Sequence, residues 1–420
     1  MDAVWKTMND YLPKTKEEWN WWIKFRKADV ILKKHDSFLY CEIAFYVMAF
    51  LTFIHAMRYG GRFRWLWLAS VFHGLTMECV SYFVPDINNY WHAQSSVMLL
   101  GQRLPLHILF MYPVYYYVAS VAVGHMKLRG WAEPFAVGLS VVILDVPYGI
   151  MGIKLLWWTW HDDDPNIYDR HYSVPWTSYY FNATFAAGFT MVFHGLRNCL
   201  CQRANKFQSA GFLLELMVAV TTGLLAMPLG VLQFLPIYHP LHDSFKLHTE
   251  VCVLMLLGVY SILVWIADRT PLEGARGPQK SRGAISEVFL CVLLHYGLYL
   301  YLVFTAMPEK IQSTGFHQPV GNCNTTLPVQ TPFGMTLSKH KYLCLSKYDE
   351  DVFDFHCVKK QPPSGKDWYT ICGTEFPNHA EYTFVVTSFC VLGLVWYWQL
   401  LFRSGAVPST QGPKPKQHKD

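Results

Sequence analysis

The sequence predicts an all-α protein, a polytopic transmembrane helix bundle of about nine spans with a small disulfide-stapled insert before the last span. Apolar residues make up 52% of the chain and charged residues only 15%. A soluble chain of this length would expose large apolar patches at that balance. The apolar residues also form runs close to the roughly 20 residues that a helix needs to cross a bilayer. Runs of this length are too long and too uniformly apolar for barrel strands, so helices are expected.

The expected organisation follows the apolar runs along the chain. Residues 1–37 form a basic N-terminal segment without the apolar stretch and small-residue cleavage site of a signal peptide. We expect an eight-helix membrane bundle at 38–307, a Cys-rich segment at 308–380, a last transmembrane helix at 381–403 and a basic tail at 404–420. The nine predicted spans are 38–57, 65–84, 104–123, 134–156, 177–193, 212–235, 248–267, 285–307 and 382–402.

The distribution of basic residues predicts the orientation. Alternate short loops carry twelve Lys and Arg residues, and the short loops between them carry three. The basic loops and the C-terminus are therefore expected in the cytosol, in a protein of the plasma membrane or endoplasmic reticulum. The basic N-terminal segment disagrees, because an odd number of spans places it outside. Either this segment crosses despite its charge, or the span count is wrong by one.

The segment before the last span has the features of a small extracytosolic domain. It contains Cys323, Cys344, Cys357 and Cys372, and a glycosylation sequon begins at Asn324. Four cysteines beside a sequon predict two disulfides formed in an oxidising compartment, and three pairings are possible. The alternative is free thiols in a cytosolic loop, which would also invert the charge rule.

Four ionisable side chains are predicted at membrane depth: Glu78, His107, Asp145 and His295. Each is costly in lipid unless it is paired, neutral or facing a wet cavity, so such residues are candidates for a functional site. We expect them to converge in the bundle interior, with Glu78 and Asp145 as acid/base candidates and the histidines in support. The alternative is that each bonds a neighbouring helix and has only a structural role.

Histidines and carboxylates also collect in the loops predicted on the outer side. The members of this polar mouth are His92, His161, Asp162, Asp164, His171, His239, His242 and His248. These residue types bind zinc, iron or manganese, but their spacing matches no established metal motif. A metal is therefore left open, and a polar network that closes the mouth is the favoured interpretation.

One stretch resembles a known family. Asp145, Gly152, the Trp158-Thr-Trp160 triplet, the Tyr-Ser-Val-Pro turn at 172–175 and Asn182 are similar to a block in carotenoid hydratases of the bisanhydrobacterioruberin hydratase type. The stretches at 74–78, 90 and 101–105 resemble that family's other acidic block. Ser173 stands in place of a Gly, and the acidic cluster at 161–164 is extra. The whole chain also resembles an uncharacterised family of animal multi-pass membrane proteins, which implies no activity.

The hydratase resemblance implies a mechanism but leaves open whether the protein is an enzyme. A carboxylic acid protonates an alkene of an isoprenoid or other lipid that enters between helices, and a second carboxylate orients water. Asp145 and Glu78 would take these two roles in either order, and no cofactor is expected. The alternatives are a proton-coupled transporter or a receptor or scaffold without activity. Nucleic-acid binding is excluded, because positive charge is dispersed and no phosphate-binding loop is present.

Overall fold

Helices make up most of the structure, a computed structural model that describes residues 15–84, 87–126, 128–160, 164–200, 207–269, 286–331, 334–346, 348 and 351–404. The helices are α1 (Lys16–Trp22), α2 (Ala28–Lys34), α3 (Asp36–Tyr59), α4 (Arg62–Phe83), α5 (Leu106–Gly124), α6 (Glu133–Lys154), α7 (Trp176–Leu200), α8 (Phe212–Ser244), α9 (Thr249–Arg269), α10 (Glu287–Thr305) and α11 (His379–Arg403). Helices α5, α8 and α11 each contain one π-helical turn, and in α5 that turn begins at Pro113.

Short antiparallel strands lie between the helices, so the all-α expectation is incomplete. They are β1 (Ile23–Phe25), β2 (Tyr90–His92), β3 (Val97–Leu99), β4 (Leu104–Pro105), β5 (Trp158–Trp160), β6 (Arg170–His171), β7 (Val174–Pro175), β8 (Gln312–Phe316), β9 (Thr326–Gln330), β10 (Thr336–His340), β11 (Phe353–Asp354) and β12 (Trp368–Gly373). Most are only two or three residues long, too short for a period of two to be recognised in the sequence.

In the described part of the chain, seven helices are long and apolar enough to cross a membrane: α3, α5, α6, α8, α9, α10 and α11. They indicate an integral membrane protein. Seven of the nine expected spans therefore have a candidate helix, and two are not confirmed. Helices α4 and α7 have the length, with 22 and 25 residues, but not the composition. Each carries arginine, histidine and hydroxyl side chains that lower its hydropathy.

Small residues bring the central helices close together. Helix α7 packs between α6 and α8, and α4 packs against α8, α5 and α3. A Cβ atom added at Gly138 of α6 would lie 2.6 Å from the carbonyl oxygen of Ala183, and one added at Gly188 of α7 would lie 2.7 Å from that of Ala226. These backbones approach so closely because no side chain intervenes.

The N-terminal segment lies on the same face of the bundle as the Cys-rich segment. Strand β1 pairs with β3, with Ile23 opposite Leu99, and the Arg26 backbone N–H donates to the Ser96 carbonyl at 2.8 Å. The Arg26 guanidinium also lies 5.8 Å from the ring centre of Trp368 in β12. The sequence left two explanations for this basic segment: it crosses the membrane despite its charge, or the span count is wrong by one. Its position on the same face as the insert favours the first.

The Cys-rich segment between α10 and α11 contains a three-stranded sheet, in the order β11-β12-β8, and the hairpin β9-β10. Disulfides join Cys323 to Cys344 and Cys357 to Cys372, one of the three pairings that the sequence leaves open. The segment is anchored on the bundle because Lys154, the last residue of α6, donates to the Thr374 hydroxyl at 3.0 Å and the Glu375 carbonyl at 2.8 Å.

Candidate functional site

Asp145 lies in the middle of α6 with 6% of its surface exposed. Its Oδ2 atom accepts a hydrogen bond of 2.8 Å from the Asn182 side-chain amide on α7. Asn182 is held in turn by the Ser178 carbonyl, to which it donates at 3.1 Å. The carboxyl group is therefore oriented by one neutral donor from the adjacent helix.

Three tyrosine hydroxyls near this carboxyl group have no hydrogen-bond partner among the described residues. Tyr115 of α5, Tyr179 of α7 and Tyr299 of α10 each interact electrostatically with Asp145. Their hydroxyl oxygens are buried, and none makes a hydrogen bond with any residue that the structure describes. Buried polar groups in folded proteins almost always bond to protein or water. Such a concentration of unsatisfied hydroxyls indicates a place for water or for the polar part of a ligand. We call Asp145, Asn182 and these tyrosines the chamber.

His295 completes one wall of the chamber. Its Nε2 atom donates to the Leu144 carbonyl at 2.9 Å, which leaves Nδ1 as an acceptor without a partner among the described residues. The ring lies 4.9 Å from Tyr299 and 5.5 Å from Tyr115 between centroids. One nitrogen of this ring is therefore bonded to the backbone and the other is open, and the ring lies beside two tyrosine rings.

A proline inside α6 leaves one backbone carbonyl without its helical partner, and a residue of another helix bonds that carbonyl. Pro147 has no N–H, so the Ile143 carbonyl one turn earlier loses its helical partner. The Tyr296 hydroxyl donates to that carbonyl at 3.1 Å. The neighbouring helix α10 therefore fixes the kink directly beside Asp145.

Glu78 lies near the end of α4 and has a different set of partners. The Tyr112 hydroxyl donates to Oε1 at 2.9 Å, the Tyr90 hydroxyl lies 3.5 Å from Oε2, and His92 Nε2 lies 3.6 Å from the same oxygen. Tyr90 and His92 alternate along β2, so both side chains lie on the same side of that strand. A cavity of about 20 Å³ adjoins Glu78, with room for about one water molecule.

The two carboxyl groups occupy separate subsites that share an aromatic wall. Asp145 and Glu78 have no hydrogen-bond partner in common among the described residues, but Tyr148 interacts electrostatically with both. The Tyr148 ring stacks on Trp158 with centroids 4.8 Å apart. His107 lies between the rings of Phe38 and Phe45, and neither of its nitrogens has a described partner.

The polar mouth separates into distinct contacts. Asp164 is buried and pairs with Lys339 of β10 at 3.2 Å, and His92 belongs to the Glu78 subsite. His171 packs against Trp176 with ring centroids 5.0 Å apart, and burial lowers its pKa. His161 and Asp162 lie outside the described residues.

The remaining mouth histidines form a chain with two aspartates. His239 and His242 both donate to Asp243, at 2.7 and 2.8 Å. His242 and His248 lie 3.7 and 3.4 Å from Asp169, which also accepts from the Thr249 backbone and hydroxyl. These contacts link the start of α9 to the π-helical turn of α8, which fits a network that closes the mouth.

Several buried polar residues were not predicted. His73 bonds the Tyr116 hydroxyl at 3.1 Å, and His55 bonds the Tyr117 hydroxyl at 2.7 Å. Glu42 accepts from the Ser96 backbone and hydroxyl at 3.0 and 2.5 Å. All three lie within apolar runs that the sequence predicts as spans, as Glu78 and Asp145 do.

A family model described as a domain of unknown function, DUF7802, matches residues 6–402. The chain belongs to the DUF7802 family. No curated protein and no solved structure matches this DUF7802 chain.

Proposed function

We propose that the protein is an intramembrane enzyme that carries out acid/base chemistry on an isoprenoid or another lipid. The observation that carries this proposal is the chamber, where a buried carboxyl group with one amide donor interacts electrostatically with three tyrosines whose hydroxyls have no partner among the described residues. A purely structural carboxyl group in a bundle would be expected to use up the donors around it. Here the donors remain available.

In the proposed reaction, Asp145 delivers its proton to one alkene carbon of the substrate. The neighbouring carbon takes the positive charge, water adds to it, and a carboxylate accepts the proton that this water releases. The tyrosine hydroxyls orient the water or the product hydroxyl by hydrogen bonds. Glu78, in its own subsite, is the second carboxylate, and Tyr148 interacts electrostatically with both carboxyl groups.

Some of the residues that resemble the carotenoid hydratases, together with Gly149 between them, make pairwise contacts in this structure. Gly152 leaves space for Trp158, because a Cβ at this position would lie 2.3 Å from the Trp158 ring. A Cβ at Gly149 would lie 3.4 Å from Val174, in the turn that precedes α7. Asn182 then bonds Asp145. Two of the resembling residues, Asp145 and Asn182, therefore meet in the chamber.

The proposal includes nine spans, with α4 and α7 crossing the membrane as interior helices. The polar residues of α4 that lower its hydropathy face protein, since Arg62, His73 and Glu78 are all buried. In this arrangement the insert faces the lumen or exterior, the C-terminus is cytosolic, and the protein resides in the plasma membrane or endoplasmic reticulum. Asn324 is exposed and becomes glycosylated.

The topology is tested by glycosidase treatment of the expressed protein. Wild type and Asn322→Gln, an exposed neighbour outside the sequon, should both gain mobility on treatment, and Asn324→Gln should not. If none of the three shifts, the insert does not face the glycosylating compartment.

The activity is tested by lipid and carotenoid profiling of cells that express wild type, Asp145→Asn or Glu250→Gln. The last variant is the matched control, because it also replaces a carboxylate by an amide but lies exposed at the start of α9. A product present with wild type and the control but absent with Asp145→Asn supports the enzyme. Surface and total expression of each variant is measured in the same cells.

Two results would contradict the proposal. One is a product that persists in Asp145→Asn at equal expression. The other is a lipid profile that wild type leaves unchanged while it confers a pH-dependent uptake that Asp145→Asn abolishes, which identifies a carrier.

A further inference from the structure

A second cavity, of about 250 Å³, lies between the Cys-rich segment and the mouth of the bundle. Trp91 and Arg103 line it from the loop between α4 and α5, and Phe316, His317 and Lys341 are among the lining residues of the insert. It is somewhat smaller than the 300–1,000 Å³ usual for a drug-sized ligand. The space therefore suits a small molecule that contacts both parts of the protein.

The charges around this cavity favour an anion. Arg103, Lys339 and Lys341 line it together with a single carboxylate, Asp367. Asp164 pairs with Lys339, and Arg103 interacts electrostatically with Asp367 and with Glu78 of the inner subsite, so the charge of Lys341 is the one in this lining that no described carboxylate pairs with. Lys341 is exposed and makes a cation–π contact of 5.1 Å with Tyr342 but no ion pair with a described residue.

Arg103 has unused donors toward the cavity. Its Nη2 atom donates to the Asn88 side chain and, at 3.4 Å, to the Tyr90 carbonyl. Its Nε and Nη1 groups make no hydrogen bond with a described residue. A guanidinium presents five N–H donors in a planar fork that matches a carboxylate or phosphate.

His317 is the second, independent indication of a ligand. It is 4% exposed, lines the cavity and has no hydrogen bond of good geometry at either ring nitrogen among the described residues. Burial lowers the pKa of His317 to about 4, and the nearby Arg103 also opposes its charging. The ring is therefore neutral at physiological pH, and the nitrogen that does not interact with the Ser313 backbone is open to a ligand.

We infer that this cavity binds a small organic anion, with one carboxylate or phosphate group held by Arg103 and Lys341 and a planar apolar body packed against Trp91 and Phe316. We expect an anion with an apolar body to bind more tightly than a fully hydrated ion, because contact with the aromatic rings removes apolar surface from water. This site is distinct from the chamber, and the inference does not depend on the proposed enzymatic activity.

The experiment uses the full-length protein in lipid nanodiscs and titrates phenyl phosphate, benzoate, inorganic phosphate and benzylamine by calorimetry. Phenyl phosphate or benzoate should bind saturably, and whichever binds more tightly identifies the head group. Inorganic phosphate lacks the apolar body and benzylamine lacks the negative charge. Each should bind at least tenfold more weakly than the better aromatic anion, a difference of about 1.4 kcal/mol in binding free energy.

The variants Lys341→Glu and Lys360→Glu locate the site. Both reverse one exposed lysine of the insert, but only Lys341 lines the cavity. We expect Lys341→Glu to weaken binding of the aromatic anion roughly tenfold or more, with Lys360→Glu within about twofold of wild type. Lys341→Gln, a milder change, should give an intermediate loss. Unfolding temperatures verify that each variant is folded.

The inference is wrong if neither aromatic anion binds saturably to wild type. It is equally wrong if benzylamine binds as well as benzoate, or if the two charge-reversal variants lose the same affinity.

Discussion

Two groups of buried ionisable residues lie in the same bundle and differ in how completely they are satisfied. Arg62 and Glu215 form an ion pair of 2.9 Å with side-chain exposures of 0% and 1%. Arg62 also donates to the Phe193 carbonyl at 2.9 Å, and Glu215 accepts from the Ala210 backbone at 3.0 Å. The chamber instead leaves hydroxyl groups unpaired around Asp145. Burial of charge alone therefore does not identify a functional site; unused hydrogen-bonding capacity is the better criterion.

The largest expected effect is the loss of a partner in the satisfied group. Glu215→Gln removes the carboxylate that pairs with the buried Arg62 guanidinium, which should lower the free energy of unfolding by about 3–5 kcal/mol. Thermal unfolding in detergent, compared with the exposed Glu250→Gln, measures this. An equal stability for the two variants would remove the distinction between the two groups.

A pH titration is expected to show the next largest effect, through His317 of the insert. The folded pKa of about 4 lies below the usual 6.5, so the unfolded chain binds the proton more tightly. Stability is therefore full above pH 6.5 and falls as the pH drops toward 4, with a loss of about 2 kcal/mol by about pH 5. Buried His35, also with a pKa of about 4, acts in the same direction.

The variant His317→Gln isolates this contribution. It removes one titrating group and leaves His35, so its stability should fall less steeply between about pH 6.5 and pH 4 than that of wild type. Identical slopes for the two proteins would mean that His317 is already solvated in the folded state.

A smaller loss is expected for Tyr112→Phe. This change removes the hydrogen bond of 2.9 Å to Glu78 and leaves a buried carboxylate oxygen with fewer donors, which should cost about 1–3 kcal/mol of unfolding free energy. The same unfolding assay measures it.

The smallest effect is expected for Tyr299→Phe, the matched change in the chamber. The Tyr299 hydroxyl has no described protein partner, so its removal should change the free energy of unfolding by no more than about 0.5 kcal/mol in either direction. A loss as large as that of Tyr112→Phe would assign the hydroxyl a structural role and weaken the case for the chamber.

The sequence predicts the helices better than the contacts between them. The predicted first span, 38–57, lies within α3 (Asp36–Tyr59), because bilayer length and apolar composition are local properties. Two disulfides were also expected, but not their pairing. Arg62 was interpreted as a loop charge, since its partner Glu215 is 153 positions away and no local window relates the two.

The candidate site was predicted only in part, again because its contacts join residues that are far apart in the sequence. Asp145 and Asn182 were both singled out, the second only through the resemblance, and they meet at 2.8 Å. The expectation of one layer of four converging groups did not anticipate that Glu78 and Asp145 would have separate partners. His73 and His55 were passed over because their role depends on tyrosines of α5, which the sequence analysis did not pair with them.

Arg103 lines two cavities, the 20 Å³ cavity at Glu78 and the 250 Å³ cavity beside the insert. Its guanidinium is mostly buried, and its charge acts on Tyr90, which in turn contacts Glu78. An anion seated on the outer side would neutralise part of the field that the inner carboxylate experiences. Occupancy of the outer cavity would thereby act on the Glu78 subsite through a single side chain, with no movement of any helix required.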